Sequence, residues 1–481
     1  MPVGSTTDLG QPAPPALPEA VRQALRLWHQ PGNDNPLAHL LTFQKPSDQP
    51  HVRPYVNGRL LNALDAMGKV HGEEAKILRM RYLDDMTADA VAFQLGMSTP
   101  NLNKKQRKAL QTLAALIWQQ EQEAQATQQQ VYLQRLEAPT YDRLFGVDAV
   151  AAQLLQLLTT PDYPWLVVLE GIGGIGKTAL ADAVMRRAIA QQGFAGFGWV
   201  SARQQRFSLA GAIQTLAQPT LTAEQLIEQL ANQLLAVELA GQGSGPLFVA
   251  NAATLARLTS RLKAAPHLIV IDNLETVVDL EALLPTLQRL ANPSKFLLTS
   301  RTSIYSETAT YPFALPELGE ADALALVRHE ASLRHQDTLA TAADSVLQAI
   351  YATVGGNPLA LRLVVGQTRI HDLALILADL KAARGQAITD LYTYIYRYAW
   401  DHLDDLSRRA LIALPFAPPQ GASLNRLLGI SQLPANDLRS ALQQLVVLNL
   451  VNRTGALDES HYTIHSLTRT FLLEQVVQWM R

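Results

Sequence analysis

The sequence predicts a multidomain α/β protein, with a parallel sheet covered by helices and helical domains on either side of it in the chain. Three observations carry this expectation. From near Tyr141 to about residue 310, short apolar runs alternate with amphipathic segments, the pattern of strands buried on both faces. Residues 17–118 and 318–385 carry apolar residues at helical spacing and no strand-like runs. The last hundred or so residues mix helical segments with a strand pair, Leu450–Arg453 and His461–Ile464, around a turn at Gly455–Ser460. No internal repeat is visible, so the chain is not a solenoid.

Composition bounds the classes available. At 481 residues the chain has room for about three domains, and 48% hydrophobic with 17% charged residues is ordinary for a globular protein. A net charge of −2 excludes a chain-wide polyanion-binding surface, so any nucleic-acid surface must be local. There is no cysteine, which excludes disulfides and thiolate metal sites and fits a reducing, bacterial-type cytoplasm. The opening residues have no basic segment followed by an apolar one, and no apolar run approaches a membrane span. The expectation is a cytoplasmic protein without a membrane partner.

Residues 1–16, rich in Pro, Gly, Ser and Thr, read as a disordered tail. A helical region over 17–70 follows, with periods at Val21, Leu25 and Trp28 and then at Leu37, Leu40 and Leu41; no chemistry attaches to it. Residues 119–138 read as a Gln-rich linker or a solvated helical extension: in QQEQEAQATQQQ seven of twelve residues are Gln, with no apolar stripe to bury.

The strongest chemical signal lies at Gly171–Thr178. Trp165–Glu170 (WLVVLE) is a buried-strand pattern, GIGGIGKT follows at once, and a helical segment succeeds it. This is the strand, loop and helix of the G-x-x-x-x-G-K-[ST] phosphate loop. Gly171, Gly173, Gly174 and Gly176 allow backbone N–H groups to converge on phosphate oxygens, with Ile175 and Ala179 completing the loop and the first helical turn. The helix N-terminus adds partial positive charge. Lys177 is expected to reach the β- and γ-phosphates and Thr178 to supply a hydroxyl to Mg²⁺. About ninety residues on, HLIVIDNLE ends an apolar strand at Asp272, where a carboxylate faces the metal. Asn273 cannot act as a base, so Glu275 is the candidate to orient water, and slow turnover is expected. A third strand, KFLLTSRTS, carries Arg301 at its carboxyl end, where a guanidinium can sense a γ-phosphate. The catalytic candidates are therefore Lys177, Asp272, Glu275 and Arg301.

In order and spacing these pieces resemble the NB-ARC branch of the STAND signal-transduction ATPases over roughly residues 141–475. Leu144-Phe145-Gly146-Val147 is similar to that family's adenine-side segment, and FGWVSAR (197–203) to its second strand. Gly356-Asn357-Pro358-Leu359 resembles the turn whose proline packs on the base. YTIHSLTRTFL (462–472) resembles the winged-helix signature whose histidine touches the β-phosphate of ADP. The resemblance implies a P-loop NTPase domain at 139–310, a helical domain at 311–385 and a winged-helix domain at 386–481. It also implies nucleotide contacts from Phe145, Val147, Pro358 and His465. Ser466 stands where many members carry Asp, which departs from the pattern at the resting-state latch. ATP or ADP with Mg²⁺ is the expected cofactor. The family's mechanism would be a closed ADP state and an ATP-bound state that self-associates.

Residues 71–118 carry a second pattern. EEAKILRMRYL reads as a helix, Thr87 as the cap of a short helix ADAVAFQL, Gly96 as a turn and Ser98 as the cap of a basic helix. This helix-turn-helix pattern resembles the DNA-reading domains of sigma factors and LuxR-type regulators. Ala92, Leu95 and Leu102 would pack it. Thr99, Asn101, Asn103 and Lys104 would face a major groove, with Lys105, Arg107 and Lys108 toward phosphates. Glu73, Glu74, Asp84, Asp85 and Asp89 lie in the same window, so its positive charge is modest. The expected function is an ATP/ADP-controlled switch with double-stranded DNA as output, plausible for transcription regulation. The alternatives are defence signalling (antiviral or cell-death), in which the N-terminal block recruits an effector or sensor protein, and an AAA+-type DNA loader.

Overall fold

The computed structural model describes residues 12–45, 51–136, 139, 141–202, 205–207, 213–215, 222–235, 248–274, 280–304, 310–369, 371–381, 400, 403–418, 421–448, 450–456, 459–464, 468–469 and 472. The chain divides into two compact units, one ending at Arg135 and the other beginning at Leu136.

The first unit is all-helical. It comprises α1 (Leu17–Arg26), α2 (Val52–Val70), α3 (Gly72–Leu78), α4 (Ala88–Gln94) and α5 (Thr99–Arg135). Its main core joins Val21 and Leu25 of α1 and Leu60 and Leu64 of α2 to Leu113 and Ile117 of α5, with Leu37, Leu40 and Phe43 between. The apolar periods of the 17–64 stretch therefore close on the helix that carries the basic and Gln-rich segments. A smaller cluster of Ile77, Met80, Val91, Ala92 and Leu102, with Leu95 packed on it, holds α4 against its neighbours. Thr87 caps α4 through its hydroxyl, which accepts from Ala90 N at 3.3 Å. Gly96 turns the chain at φ +65°.

Of the two readings of the Gln-rich segment, the structure has the helical extension: it continues α5 to Arg135 without a break. One of its residues is not solvated: Glu121 is fully buried and accepts from Leu41 N (2.8 Å), Thr42 N (2.9 Å) and Thr42 Oγ1 (2.8 Å). A buried carboxylate is tolerated only with such donors, and each charge-assisted bond is worth roughly 1.5–3 kcal/mol. Polar sequence hid a fixed tertiary contact.

The second unit opens with α6 (Asp148–Thr159) and a five-stranded parallel sheet. Its strands are β1 (Leu166–Glu170), β2 (Gly196–Ser201), β5 (His267–Asp272), β6 (Lys295–Ser300) and β7 (Thr310–Ala314), in the order β2-β5-β6-β1-β7. A short antiparallel pair, β3 (Gln205–Phe207) and β4 (Ile213–Thr215), stands apart from it. Every residue of β1, β5 and β6 is buried, because helices α7 (Lys177–Gln191), α8 (Ala223–Leu234), α9 (Ala252–Ala264) and α10 (Leu280–Leu290) follow the strands as crossovers. From β1 the chain crosses to β2 at one edge, whereas β7 lies on the other side. This change of direction opens a crevice at the carboxyl end of β1. β7 lies beyond the expected boundary at 310: with Pro312 and mostly exposed positions it lacks an apolar run, as an edge strand does.

Helices α11 (Glu320–Leu333), α12 (Asp337–Ala340), α13 (Asp344–Val354), α14 (Pro358–Gln367) and α15 (Leu373–Lys381) come next. Beyond them, α16 (Asp405–Ala413), α17 (Leu424–Ser431) and α18 (Ala435–Val447) accompany a three-stranded sheet of β8 (Ala422–Ser423), β10 (Glu459–Thr463) and β9 (Asn452–Ala456). The antiparallel register pairs Ser460 with Gly455 and Glu459 with Ala456, so the strands run into the stretch expected to be turn. Among the described residues no helix is long and apolar enough to cross a membrane.

His267, at the start of β5, is 1% exposed, and burial pushes its pKa down to about 4, while its Nδ1 bonds the carbonyl of Ala265 at 2.7 Å. Between that value and an ordinary 6.5 the unfolded chain binds the proton and the folded one does not, so stability falls with acidification across this window. The loss is at most about 3 kcal/mol. Urea unfolding at pH 7 and pH 4.5 should show a smaller acid loss in His267→Phe than in wild type.

Candidate functional site

The loop between β1 and α7 turns through three left-handed or unusual glycines, Gly171 (φ +153°), Gly174 (φ +78°) and Gly176 (φ +106°), the last preceding the first turn of α7. Lys177 extends back over the loop, its ammonium donating to the carbonyls of Gly171 (2.6 Å) and Ile172 (3.0 Å). With its amides at a helix N-terminus and a cation across it, the loop is an anion cradle.

Asp272, 1% exposed at the end of β5, joins three elements. Its Oδ1 accepts from Thr178 Oγ1 on α7 and from Thr299 Oγ1 on β6, both at 2.7 Å. Asn273 N donates to the same Thr299 hydroxyl at 2.8 Å, with Asn273 itself at φ +70°. The structure thus brings together Thr178 and Asp272, separated by 94 positions. A hydroxyl beside a carboxylate is the hard oxygen donor set that suits Mg²⁺, which usually takes few protein ligands beside phosphate and water. Among the described residues no cluster of three His, Cys, Asp or Glu side chains forms a rival metal site.

Arg301 lies just past β6 and lines the same cleft. The segment after it is held by Glu170, the last residue of β1, which accepts from Ser303 Oγ (2.6 Å) and Ile304 N (3.1 Å). Burial pushes the Glu170 carboxyl up, against the lowering effect of those two donors. An acidic residue that precedes a phosphate loop would ordinarily repel its ligand; here the carboxylate is turned toward the Ser303 hydroxyl and the Ile304 amide.

The cleft has a volume of about 540 Å³, within the usual range for a small-molecule site. Its lining combines the phosphate loop from Gly173 to Leu180, including Ile175, Gly176 and Ala179, with the apolar side chains of Phe145, Val147, Leu326 and Pro358. Phe145 is fixed by the His329 ring, 5.3 Å away, and by the Arg143 guanidinium 4.9 Å above its face. Gly146 (φ +64°) lies so near Asp322 that a Cβ there would meet its carboxylate at 2.7 Å. Tyr141 also lines the cleft: its hydroxyl donates to Asp182 Oδ2 (2.6 Å), which also pairs with Arg186 (2.8 Å). Burial and the Asp182 carboxylate push the phenol up.

Sequence reading missed several members. Glu330 and Arg362 line the cleft as an ion pair (2.7 Å), and Glu317 accepts from Gly356 N at 3.2 Å. Their helical spacing carried no motif. Thr299 was visible in KFLLTSRTS but was passed over for Arg301. Glu275 and His465 lie outside the described residues.

In the first unit, Asn101, Asn103, Lys104 and Arg107 are exposed on the N-terminal part of α5. Three others are engaged: Thr99 Oγ1 donates to Asp89 (2.8 Å), Lys105 pairs with Glu73, and Lys108 pairs with Glu74 at 3.0 Å. The acidic residues noted in the sequence thus sit on the very lysines expected to meet phosphates.

Sheet order, glycine loop, Asp272 and the bipartite cleft define a P-loop nucleotide-binding domain. Residues 147–336 match the family profile of the NB-ARC domain. The chain is 26% identical over 229 residues to a probable disease resistance RPP8-like protein 2 of Arabidopsis thaliana, covering 46% of this chain and 23% of that protein. It is 25% identical over 258 residues to the disease resistance protein RPP8 of the same plant, covering 52% and 26%. The chain thus spans about a quarter of the length of these two relatives. Among solved structures, the Walker-type ATPase PABY2304 of Pyrococcus abyssi is 14% identical with a TM-score of 0.47, covering 70% of this chain and 98% of that one. A STAND protein with a tetratricopeptide repeat sensor from Pyrococcus horikoshii is 15% identical with a TM-score of 0.31, covering 70% and 43%.

Lys177→Ala removes the cation from the loop and should cut ADP affinity at least about 100-fold, equivalent to ~2.7 kcal/mol. Titration calorimetry of the full chain checks this, and wild-type affinity in the variant would remove Lys177 from the site.

Proposed function

We propose that the chain is a nucleotide-controlled signalling switch of the NB-ARC type, in which ATP and ADP select different arrangements of the second unit. The observation that carries this reading is the make-up of the cleft: the loop between β1 and α7 supplies the phosphate cradle, while α11 and α14 of the helical segment add Leu326, Glu330, Pro358 and Arg362 to the lining. A purine nucleotide in the cleft touches both and so biases how they pack. Lys177 and the loop amides hold the β- and γ-phosphates, Phe145, Val147 and Pro358 enclose the base, and Arg301 answers to the γ-phosphate. Thr178 and Asp272 would hold Mg²⁺, which supplies positive charge between the β- and γ-phosphates. Asn273 beside Asp272 offers no base, which suits slow turnover. His465 remains the proposed contact to ADP from the last domain, and Glu275 the proposed water-orienting group.

Such a ligand moves a two-state equilibrium only by its differential affinity, and a swing from 1:99 to 99:1 requires about 5.5 kcal/mol. Several contacts across the cleft are needed for that, which favours domain packing over any single sensor. Size-exclusion chromatography with light scattering should show a monomer with ADP and a larger assembly with Mg²⁺ and a non-hydrolysable ATP analogue. The same mass in both states would overturn the switch.

For the first unit, the plant disease-resistance relatives and its own surface favour recruitment of a protein over reading of DNA. Lys105 and Lys108 are paired with acids, and Phe93 on α4 is 90% exposed, an apolar group suited to a protein partner. The DNA reading keeps one supporting feature, the exposed row Asn101, Asn103, Lys104 and Arg107 on α5. Fluorescence anisotropy with duplex DNA separates the two. The protein-recruiting reading expects binding no stronger in wild type than in the Lys104→Ala/Arg107→Ala double variant. A salt-dependent affinity that this variant loses would establish the DNA output instead.

A further inference from the structure

The turn at Gly355–Pro358 ends in a proline that lines the cleft, yet the residue before it makes the more demanding contacts. Asn357 is completely buried. Its Oδ1 accepts from Leu359 N (3.1 Å) and Ala360 N (3.2 Å) and so caps α14. Its Nδ2 points the other way and donates to the carbonyl of Gly173, in the phosphate loop, at 3.1 Å. Leu359 N also lies 3.3 Å from the carbonyl of Gly174.

The fit around this bond is close on both sides. A Cβ on Gly174 would stand 2.6 Å from Leu359 Cβ and 3.0 Å from Asn357 Oδ1, so glycine is needed there for the turn to approach. A Cβ on Gly356 would stand 2.1 Å from the carbonyl of Leu318, whose amide in turn donates to Gly356 O at 3.0 Å. Leu315 N, three residues earlier, donates to Glu170 O at 2.9 Å. The turn is therefore wedged between the phosphate loop and the connector that leaves β7.

We propose that Asn357 is a positioning residue that couples the phosphate loop to the helical domain. A trans peptide places its C=O and N–H on opposite sides. Holding the Gly173 carbonyl toward Asn357 therefore turns the Gly174 N–H away from Asn357, and Gly174 lines the cleft. The same amide group that orients the loop also caps α14, so phosphate binding and α14 docking become a single equilibrium. By linkage, a nucleotide that orders the loop stabilises the start of α14, and a docked α14 tightens nucleotide. This inference rests on the nucleotide reading of the P-loop.

Asn357→Ser and Asn357→Asp both retain an N-cap acceptor while removing the Nδ2–H donor, which separates the loop contact from helix capping. Release of N-methylanthraniloyl-ADP from the full chain should accelerate about tenfold in both variants. Hydrogen exchange at the amides of Leu359–Leu361 should slow with ADP in wild type and respond little to ADP in the variants. Wild-type release rates in both variants would overturn the proposal. So would faster release in the Asp variant alone, which would show direct charge repulsion of phosphate. Persistent ADP protection of α14 in the Ser variant would also overturn it. Failure of the wild-type chain itself to bind the probe would instead defeat the nucleotide reading beneath it.

Discussion

The carboxylate of Asp272 holds the carboxyl end of the sheet in register with the first turn of α7. One oxygen receives hydroxyls from Thr178 and Thr299, and the next residue's amide closes onto Thr299. Inside a protein such a shared acceptor is stronger than in water, and an unpartnered member would be costly. β5, β6 and the phosphate loop are therefore constrained together. This explains why a hydroxyl-bearing residue is needed at two positions far apart in sequence. It also sets a hydroxyl and a carboxylate side by side, the hard oxygen donors that would suit a divalent cation.

From that anchor the cleft is built outward by backbone contacts as much as by side chains. Glu170 ties the segment after Arg301 to β1, and the connector after β7 is tied to β1 and to the turn before α14. Phe145 and Tyr141 in the cleft lining are braced, the first by the His329 ring and the Arg143 guanidinium and the second by Asp182 and Arg186. A site assembled from both the sheet and the following helices can report its occupant through their packing. A site contained within the sheet alone could not.

The first unit follows a different logic. Its helices close on α5, whose Gln-rich stretch is fixed by the buried Glu121, and its basic positions are partly neutralised by Glu73 and Glu74. Burying a carboxylate with several donors sets register more than it adds stability, since desolvation offsets much of the gain. Among the features the unit exposes are Phe93 on α4 and a short polar row on α5.

The phosphate loop, the strand ends carrying Asp272 and Arg301, and the alternation that demands a parallel sheet were legible because each depends on local order: glycine spacing, apolar runs and strand-end polarity. β7 was cut short because an edge strand with a proline has no apolar run to announce it. That Glu121 in the Gln-rich stretch is buried had no local sign, because its donors lie about 80 positions away. By itself, the sequence determined that a nucleotide loop follows β1 and which residues could serve it. Only the tertiary structure decided that Thr299 shares Asp272, that Glu330 pairs with Arg362 in the cleft, and that Asn357 reaches Gly173. Those contacts join residues up to 184 positions apart, and chain packing, with no local pattern to mark it, is what brings them within hydrogen-bond distance.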